Sequence, residues 1–383
     1  MEKQPIILIP GIQGTKLNNI NDADFKTLWT GIKKFFTNIH ELALQFDGQS
    51  DKGAENIIER ADVENLAYSE IINYLRSIGY RVYIFGYDWR KSNEESAKEL
   101  GEFIQRIQRK LNETKMNFVT HSMGALVLSA YLKKLSEKER LKVLNKAVFT
   151  VPPFLGSMEA SFNLTMGKSR LFNSSDDFRK VGRTFPGLYE LLPVYDGAYE
   201  FQNKKTEENY NLYDYSSFWQ QLRNPESESY LYKNRLMTHR LTELGKLRDQ
   251  RNLIFDLSKM NKELRSRCII LAGGGEATKD KVFVTEDEEF KFFFDYEKHE
   301  ENEDGDGTVP IQSSTVFKDS ILTCKMKTSW IEKRADSRVI LSDWHAFFLN
   351  NGRVQNIIKR FMDPKAVLKG EWYQSRGGKI EKL

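Results

Sequence analysis

A serine stands at the junction of two differently patterned segments in KMNFVTHSMGALVLSAYLKKL. The run before it is apolar and strand-like and the run after it has helical spacing, which predicts a sharp strand-to-helix turn that exposes Ser122. Nucleophilic serines in such turns usually follow the pattern Gly-x-Ser-x-Gly, but here Thr120 takes the first glycine position and Gly124 keeps the second. Because the first position needs a compact residue, we expect a slightly shifted turn in which Thr120→Gly leaves activity roughly intact.

A serine hydroxyl is a weak nucleophile at neutral pH, so it needs a histidine as base and a carboxylate that orients the histidine. Asp306, in the glycine-rich turn EDGDGTVP, is the predicted acid, and Asp304 is the nearby alternative. The other interpretation of this turn is a solvated loop or a weak calcium loop, although its spacing does not match an EF-hand. His345 follows a predicted strand in VILSDWHAFF and is the predicted base.

The remaining histidines fit the role of base less well. His121 adjoins the serine and is expected to point away from it. The others, His40, His239 and His299, lie in inserted or highly charged segments.

Backbone donors for an oxyanion can also be predicted. The amide of Met123 follows the serine at the start of a predicted helix, where free N–H groups and the helix dipole favour negative charge. In IPGIQGTKL, Gly11 lets the chain turn sharply after the first predicted strand and exposes the amide of Ile12. The predicted substrate pocket lies around these groups, with Gly11, Gln13, Phe154, Leu155 and Trp344 as candidates.

The composition is ordinary for a soluble globular protein, with 40% hydrophobic and 29% charged residues in a chain of 383. The formal net charge is +4 and basic residues are interspersed with acidic ones, so no nucleic-acid partner is expected. We find no metal-ligand spacing and expect no metal and no cofactor. Cys268 and Cys324 are interpreted as two buried thiols rather than a disulfide.

The first apolar run, in MEKQPIILIPG, is too short for the core of a signal peptide and leads directly into a glycine turn. No segment approaches the length of a membrane span. If Met1 is the natural start, we expect a cytoplasmic protein, with transient contact with a membrane surface left open. The sequence indicates no particular oligomeric state.

Apolar strands alternate with helical patterns up to Val151, which predicts a mostly parallel central sheet with helices on both faces. Together with the chain order serine, acid, histidine, this pattern predicts an α/β-hydrolase fold. The core is expected to span 1–154 and 263–383, resuming with the strands CIILAGGG and VFV. Residues 155–262 show no clean strand pattern, and the segment from Leu231 to Met260 has a helical pattern. This block is predicted to form a cap or lid.

A second insertion, at about 18–63, is predicted to be helical. Its apolar residues recur at helical spacing, at Trp29, Ile32, Phe36, Ile39 and Leu42. The favoured interpretation is a helix packed on the core, and the alternative is an aromatic face that touches lipid.

Several motifs, in family order over nearly the whole chain, resemble the lecithin:cholesterol acyltransferase family. This family includes phospholipid:diacylglycerol acyltransferases, a lysosomal phospholipase A and bacterial relatives. The matching stretches are PIILIPGIQGTKL, YDWR, HSMGALV, RTFPGLYELLP, GGGEATKDKVFV and GDGTVP, followed by the late His345. YDWR and GDGTVP are the more specific of these, because the serine motif alone fits many hydrolases.

The resemblance implies a catalytic triad, an oxyanion hole, a flexible lid after Val151 and a lipid acyl ester as substrate. The residues it implies are Ser122, Asp306 and His345 for the triad and the amides of Ile12 and Met123 for the oxyanion hole. It also implies that the two cysteines are neighbours in space. The secreted members carry a signal peptide and a disulfide-closed loop that are not identified in this sequence.

The leading hypothesis is a serine hydrolase of the esterase or lipase type that cleaves lipid or phospholipid acyl esters through an acyl-serine intermediate. Transfer of the acyl group to an alcohol is left open, because the same intermediate serves both reactions. One alternative is a non-catalytic lipid-binding or interaction protein on a hydrolase scaffold. The other is a hydrolase of small soluble esters or thioesters.

Overall fold

The computed structural model describes most of the chain. The described residues are 3–21, 27–29, 39–45, 47–53, 55–166, 176–201, 256–287, 291–302, 304–327, 344–366, 368–374 and 380–383. The strand predicted just before His345 lies outside these residues, and so does most of the helical pattern predicted from Leu231 to Met260.

Strands and helices alternate along the first part of the chain, as predicted. The described strands are β1 (Ile6–Ile9), β2 (Thr15–Asn19), β3 (Thr27–Trp29), β4 (Ile58–Val63), β5 (Val82–Ile84), β6 (Met116–His121), β7 (Leu144–Thr150), β8 (Tyr199–Phe201), β9 (Cys268–Gly274), β10 (Thr278–Asp287), β11 (Lys291–Asn302), β12 (Leu322–Lys327) and β13 (Ile380–Lys382). The described α-helices are α1 (Asn65–Ser77), α2 (Asn93–Leu111), α3 (Gly124–Lys134), α4 (Glu137–Val143), α5 (Met158–Met166), α6 (Asp176–Gly182), α7 (Pro186–Tyr189), α8 (Lys262–Ser266), α9 (Ile311–Ser314) and α10 (Gly352–Met362).

Seven strands form the central sheet, in the order β13-β12-β9-β7-β6-β1-β5. All neighbouring pairs run parallel except β12 and β13. The strands β1, β6 and β9 are buried along their whole length, as expected for parallel strands covered on both faces. The predicted mostly parallel sheet of an α/β-hydrolase fold is therefore confirmed.

Two hydrophobic cores lie on opposite faces of this sheet. Because successive side chains of a strand point to opposite faces, Ile7 and Ile9 of β1 pack into one core and Ile6 and Leu8 into the other. The first core contains the apolar stripes of α2 and α3, and the second contains those of α1 and α10. Helices on both faces leave the strand ends as the place where a site can form.

The segment predicted to be helical at about 18–63 differs in its described part. There β2, β3 and β4 form a small antiparallel sheet in the order β3-β2-β4, and Ile39–Leu42 is a single 3₁₀ turn. Trp29 lies on β3 opposite Leu17, so the strand pairing overrides the helical spacing that starts at this residue. Ile32 and Phe36 lie outside the described residues.

The predicted strand VFV also differs from expectation, because it belongs to β10 rather than to the central sheet. Strand β10 pairs antiparallel with β11 and parallel with β8, which comes from the segment predicted as cap. Val282 and Val284 are buried and Phe283 between them is half-buried, the alternation of a strand with one covered face. The predicted boundary at 262/263 is therefore crossed by strand pairing.

The two cysteines are free, buried thiols at positions on neighbouring strands, Cys268 on β9 and Cys324 on β12. Burial raises the pKa of each thiol to about 12, so both are protonated at neutral pH. Among the described residues, no helix is long and apolar enough to cross a membrane.

Candidate active site

Ser122 occupies the sharp turn predicted between β6 and α3. Its φ angle is 52°, in the left-handed region that non-glycine residues rarely adopt. The turn is held by the Ser122 amide, which donates to the carbonyl of Thr150 at 2.9 Å, and by the Ser122 carbonyl, which accepts from the amide of Ala125 at 2.9 Å. A strained serine at the carboxyl end of a central strand is the geometry of a nucleophile elbow.

The departure at Thr120 is accommodated within β6. Thr120 is fully buried, and its carbonyl accepts a 2.5 Å hydrogen bond from the hydroxyl of Thr150 on the neighbouring strand. The close approach that requires a glycine lies at the second position instead. A Cβ on Gly124 would come within 2.5 Å of the carbonyl oxygens of Ile9 and Pro10, so only glycine lets α3 pack this closely on the end of β1.

The structure brings Ser122, His345 and Asp306 together, although they are far apart in sequence. His345 Nε2 lies 2.9 Å from Ser122 Oγ, and His345 Nδ1 lies 2.8 Å from Asp306 Oδ2. All three side chains are buried. Because the carboxylate can only accept, Nδ1 carries the imidazole proton and Nε2 is free to accept the serine proton.

Asp306, not the alternative Asp304, faces the histidine. The second oxygen of Asp306 accepts hydrogen bonds from the amides of Thr308 at 3.0 Å and Val309 at 2.7 Å, which fix the carboxylate. At the end of β9, a Cβ on Gly273 would lie 2.5 Å from Asp306 Cβ, so the glycine makes room for the acid. The half-exposed carboxylate of Asp304 instead pairs with the buried ammonium of Lys325.

The loop that carries Ile12 lies against the serine. It is a tight turn in which the amide of Gly14 donates to the carbonyl of Gly11 at 3.0 Å, with Gln13 at a φ of 63°. A Cβ on Gly11 would lie 2.9 Å from Ser122 Cβ, so the loop backbone passes directly beside Ser122. Met123 directly follows the serine and is the N-cap of α3, where helix geometry leaves amides without intrahelical partners.

The YDWR motif clamps both ends of this loop, a role that sequence reasoning did not assign to it. The hydroxyl of Tyr87 donates to the carbonyl of Pro10 at 3.0 Å, and the amide of Tyr87 donates to the hydroxyl of Thr15 at 3.1 Å. The indole of Trp89 donates to the carbonyl of Thr15 at 3.0 Å. The only signal in the sequence was the match of this motif to the family.

The same motif carries a buried ion cluster. The guanidinium of Arg90 is fully buried, and it bonds to Asp88 at 2.6 Å and to Asp51 at 2.9 Å. It also donates to the carbonyl of Leu42 at 2.8 Å. A buried charge is costly when a partner is missing. The contacts of Arg90 therefore hold the segment after β5 against the described part of the insertion, at Leu42 and Asp51.

The motif RTFPGLYELLP packs on YDWR from the other side. Phe185 meets Trp89 edge to face at 5.7 Å between ring centroids. A Cβ on Gly187 would lie 2.6 Å from the carbonyl oxygen of Trp89 and 3.0 Å from Met123 Cε. Glu190 accepts from the hydroxyl of Ser92 at 2.6 Å, and burial raises the pKa of its carboxyl. YDWR and RTFPGLYELLP thus form one packed layer next to Met123.

The predicted pocket residues occupy three different settings. Gly11 and Gln13 lie in the loop beside Ser122, whereas Phe154 is buried between Phe149 and Phe317 with ring centroids at 5.7 and 5.1 Å. Half-buried Leu155 packs against the same core. The ring of Trp344 packs on Phe348 at 4.9 Å, in the second core. Their role as a pocket lining stays a prediction.

His121, which was expected to point away from the serine, has an imidazole placed between two other site elements. It contacts the hydroxyl of Tyr68 and the backbone carbonyl of His345, each at 2.8 Å. Tyr68 is separated from His121 by 53 positions in the chain, so no local pattern pointed to this pair.

Two comparisons with known sequences show similarity to one protein family. The sequence model of the lecithin:cholesterol acyltransferase family matches residues 54–340. Lecithin-cholesterol acyltransferase-like 4 of Arabidopsis thaliana is 23% identical over an alignment of 163 residues, and the match covers 33% of this chain and 30% of that protein. The alignment therefore spans less than a third of the plant relative.

One solved structure shows the same fold at low sequence identity, and a second is reported beside it. A chain of the Tle4-Tli4 complex is similar with a TM-score of 0.60 and 14% identity, over 92% of this chain and 96% of that chain. The lin2722 gene product of Listeria innocua has a TM-score of 0.37 and 13% identity, over 96% of this chain and 97% of that chain. The family match covers well over half of the 383 residues, and it confirms the resemblance seen in the motifs. This chain belongs to the lecithin:cholesterol acyltransferase family.

Proposed function

We propose that this protein is a serine hydrolase of the esterase or lipase type that cleaves lipid acyl esters through an acyl-serine intermediate. The observation that carries the proposal is a pair of hydrogen bonds to the imidazole of His345, whose Nε2 lies 2.9 Å from the donating Ser122 Oγ and whose Nδ1 lies 2.8 Å from the accepting Asp306 Oδ2. Membership of the family supports a lipid acyl ester as the substrate class. The strained backbone at Ser122 supports its role as nucleophile.

In the first step, Ser122 Oγ attacks the ester carbonyl carbon while its proton passes to His345 Nε2. Asp306 accepts the hydrogen bond from the Nδ1–H of His345 throughout and does not take the proton, so it holds the ring and stabilises the imidazolium that forms. A positioned base of this kind contributes about 10²- to 10⁴-fold in rate. The short chain of hydrogen bonds means that little reorganisation precedes attack.

The carbonyl oxygen becomes negative in the tetrahedral intermediate. We assign its stabilisation to two amides: that of Ile12, which follows Gly11 in the loop beside Ser122, and that of Met123, the N-cap of α3. The dipole of α3, an 11-residue helix, adds to the favourable potential at its N-terminus. Each oxyanion donor contributes about 10²- to 10³-fold.

The intermediate then collapses and the bond to the leaving alcohol breaks. The imidazolium of His345 gives its proton to the leaving oxygen, so the acyl group remains on Ser122 and His345 is neutral again. A water molecule or an acceptor alcohol then attacks the acyl-serine, with His345 taking its proton. The second collapse returns that proton to Ser122 and releases either an acid or a new ester.

We place the substrate cap at 155–262, attached to the site by its first residues. The hydroxyl of Ser157 donates to the carbonyl of Thr308, two residues from the acid. The amide of Leu155 donates to the hydroxyl of Ser313 at 3.0 Å. These bonds anchor the first residues of the proposed cap to the residues that follow Asp306. Most of the proposed cap, at 167–175 and 202–255, lies outside the described residues.

A fluorophosphonate probe tests the proposal, because it reacts covalently with activated serines. We expect stoichiometric labelling of the wild type and none of Ser122→Ala. No labelling of the wild type, or equal labelling of both proteins, overturns the proposal that this protein is a serine hydrolase. The alternative is then a lipid-binding or interaction protein.

Substrate class is tested separately with a phospholipid and a short-chain ester across the micelle concentration. A lipid hydrolase increases its rate when the lipid aggregates, whereas a flat rate indicates the alternative of a soluble ester or thioester hydrolase. Repeating the lipid assay with and without an added alcohol, and separating free acid from new ester, distinguishes hydrolysis from acyl transfer.

A further inference from the structure

A buried chain of hydrogen bonds runs behind the proposed triad and joins two of its parts. The amide of Gly11 lies 2.9 Å from the hydroxyl of Tyr68, and this hydroxyl lies 2.8 Å from Nδ1 of His121. On the far side, Nε2 of His121 lies 2.8 Å from the carbonyl oxygen of His345. Gly11 precedes the proposed oxyanion donor Ile12, and His345 is the proposed base.

Every hydrogen atom in this chain can be assigned. The carbonyl of His345 can only accept, so Nε2 of His121 carries the proton and donates it. Nδ1 of His121 is then an acceptor, and the hydroxyl of Tyr68 must donate to it. The oxygen of Tyr68 in turn accepts from the amide of Gly11. All bonds point in one direction, from Gly11 to His345.

Burial keeps both side chains neutral. It is the main reason why the pKa of His121 is lowered to about 3, and the nearby charge of His345 lowers it further. Burial also raises the pKa of the Tyr68 hydroxyl. A neutral His121 adds no positive charge beside the imidazolium that forms on His345, whose ring centroid lies 5.3 Å away.

We propose that Tyr68 and His121 are positioning residues for the reaction, which hold the oxyanion loop and the base in register with the nucleophile. The inference rests on the proposed function, since it assigns roles toward Ser122 and His345. His121 is the residue directly before Ser122, so it moves with the serine turn. The imidazole of His121 therefore links the serine turn to the backbone of His345 through one hydrogen bond. Through Tyr68 it also links the serine turn to the loop that carries Ile12.

The steric fit supports this assignment. A Cβ on Gly11 would lie 3.2 Å from Nδ1 of His121 and 3.3 Å from its carbonyl oxygen, so the loop, the imidazole and the serine turn are in direct contact. The ring of Tyr68 meets the His121 imidazole edge to face at 5.6 Å. The carbonyl of His345 accepts a second bond, from the amide of Phe348 at 3.4 Å, so the base is held from both sides.

Four substitutions test the proposal. Tyr68→Phe keeps the ring and removes both bonds of the hydroxyl. His121→Asn places an amide near the position of Nδ1 and keeps only the bond to Tyr68, whereas His121→Gln reaches the position of Nε2 and keeps the bond to His345. Tyr74→Phe, a half-buried tyrosine on the same helix α1, is the matched control.

The readouts are the rate of fluorophosphonate labelling and the kcat and KM for an ester, normalised to the folded fraction from thermal unfolding. We expect Tyr68→Phe and His121→Asn to lower kcat and the labelling rate about tenfold, with KM within about twofold. His121→Gln should stay within about threefold of wild type, because it restores the bond to the base. Tyr74→Phe should match wild type.

A purely structural role gives a different result. The variants would then lose stability while the labelling rate per folded molecule stayed at the wild-type value, and this overturns the proposal. Equal rates for His121→Asn and His121→Gln overturn the link to the base. If the wild type itself is not labelled at Ser122, the proposed function has failed; if the wild type is labelled and Tyr68→Phe is labelled equally fast, only the present inference has failed.

Discussion

The hydroxyl of Tyr87 donates a 3.0 Å hydrogen bond to the carbonyl oxygen of Pro10, at the point where the chain leaves β1. The two residues are 77 positions apart, and Tyr87 is fully buried. With the indole of Trp89 bonded to the carbonyl of Thr15, both ends of the loop that carries Ile12 are held by one short segment. We therefore expect YDWR to act on the reaction by shaping this loop.

Tyr87→Phe tests this relationship. The variant keeps the ring and loses the bond to Pro10, so unfolding should cost about 1 kcal/mol less free energy and kcat should fall about tenfold with little change in KM. Urea unfolding and ester kinetics provide the two values. Tyr83→Phe, on β5 and half-buried, is the control, and an unchanged kcat in Tyr87→Phe would show that the clamp serves stability alone.

The two aspartates of the GDGTVP region provide a matched pair. Asp306→Asn keeps the shape of the side chain but favours the wrong histidine tautomer, so we expect kcat to fall about 10³- to 10⁴-fold. Asp304→Asn, whose carboxylate pairs with Lys325, should leave kcat within about twofold. Steady-state kinetics on both variants decides the assignment, and the reverse ranking would identify Asp304 as the acid.

Two glycines at the first positions of helices should respond oppositely to alanine. In Gly124→Ala the new Cβ meets the carbonyl oxygens of Ile9 and Pro10, so we expect a loss of about 1–3 kcal/mol and of most activity. In Gly352→Ala nothing lies within 4 Å of the new Cβ, and stability should rise by up to about 1 kcal/mol. Chemical unfolding measures both, and a stable, active Gly124→Ala would contradict the close approach of α3 to β1.

The buried His121 predicts a loss of stability in acid. Its pKa is lowered from 6.5 to about 3 in the folded protein, so between these values the unfolded state binds a proton that the folded state excludes. Stability then falls as the pH falls, by about 1.4 kcal/mol per pH unit for this one proton. His121→Gln has no such proton. When the pH is lowered from 7 to 5, the wild type should therefore lose about 2 kcal/mol more of its free energy of unfolding than the variant does. Parallel curves for the two proteins would show that His121 takes up its proton over the same pH range in the folded and unfolded states.

The juxtaposition of Ser122, Asp306 and His345 could be predicted because each has a local signal. The serine stands between a strand pattern and a helix pattern, the acid lies in a glycine-rich turn, and their order along the chain matches one fold. The central sheet was equally predictable, since continuous apolar runs such as IILI and CIILAGG are typical of parallel strands buried on both faces.

The layer behind the site could not be predicted in the same way. The bonds from Tyr68 to His121 and from Tyr87 to Pro10 join residues 53 and 77 positions apart, and no periodicity relates such pairs. The insertion around Trp29 differs from the predicted helix for another reason. Helical spacing over a few residues competes with cross-strand pairing, and pairing with Leu17 decides the described part of that segment.

The central claim is that the reaction passes through an acyl group on Ser122, and trapping this species tests it most directly. The wild type is mixed with an activated ester, quenched in acid within the first turnover and digested, and the peptides are analysed by mass spectrometry. We predict the acyl mass on the peptide that contains Ser122, at close to one per molecule, and its absence from Ser122→Ala. Turnover by Ser122→Ala at the wild-type rate, or the acyl group on a different residue, would contradict the account.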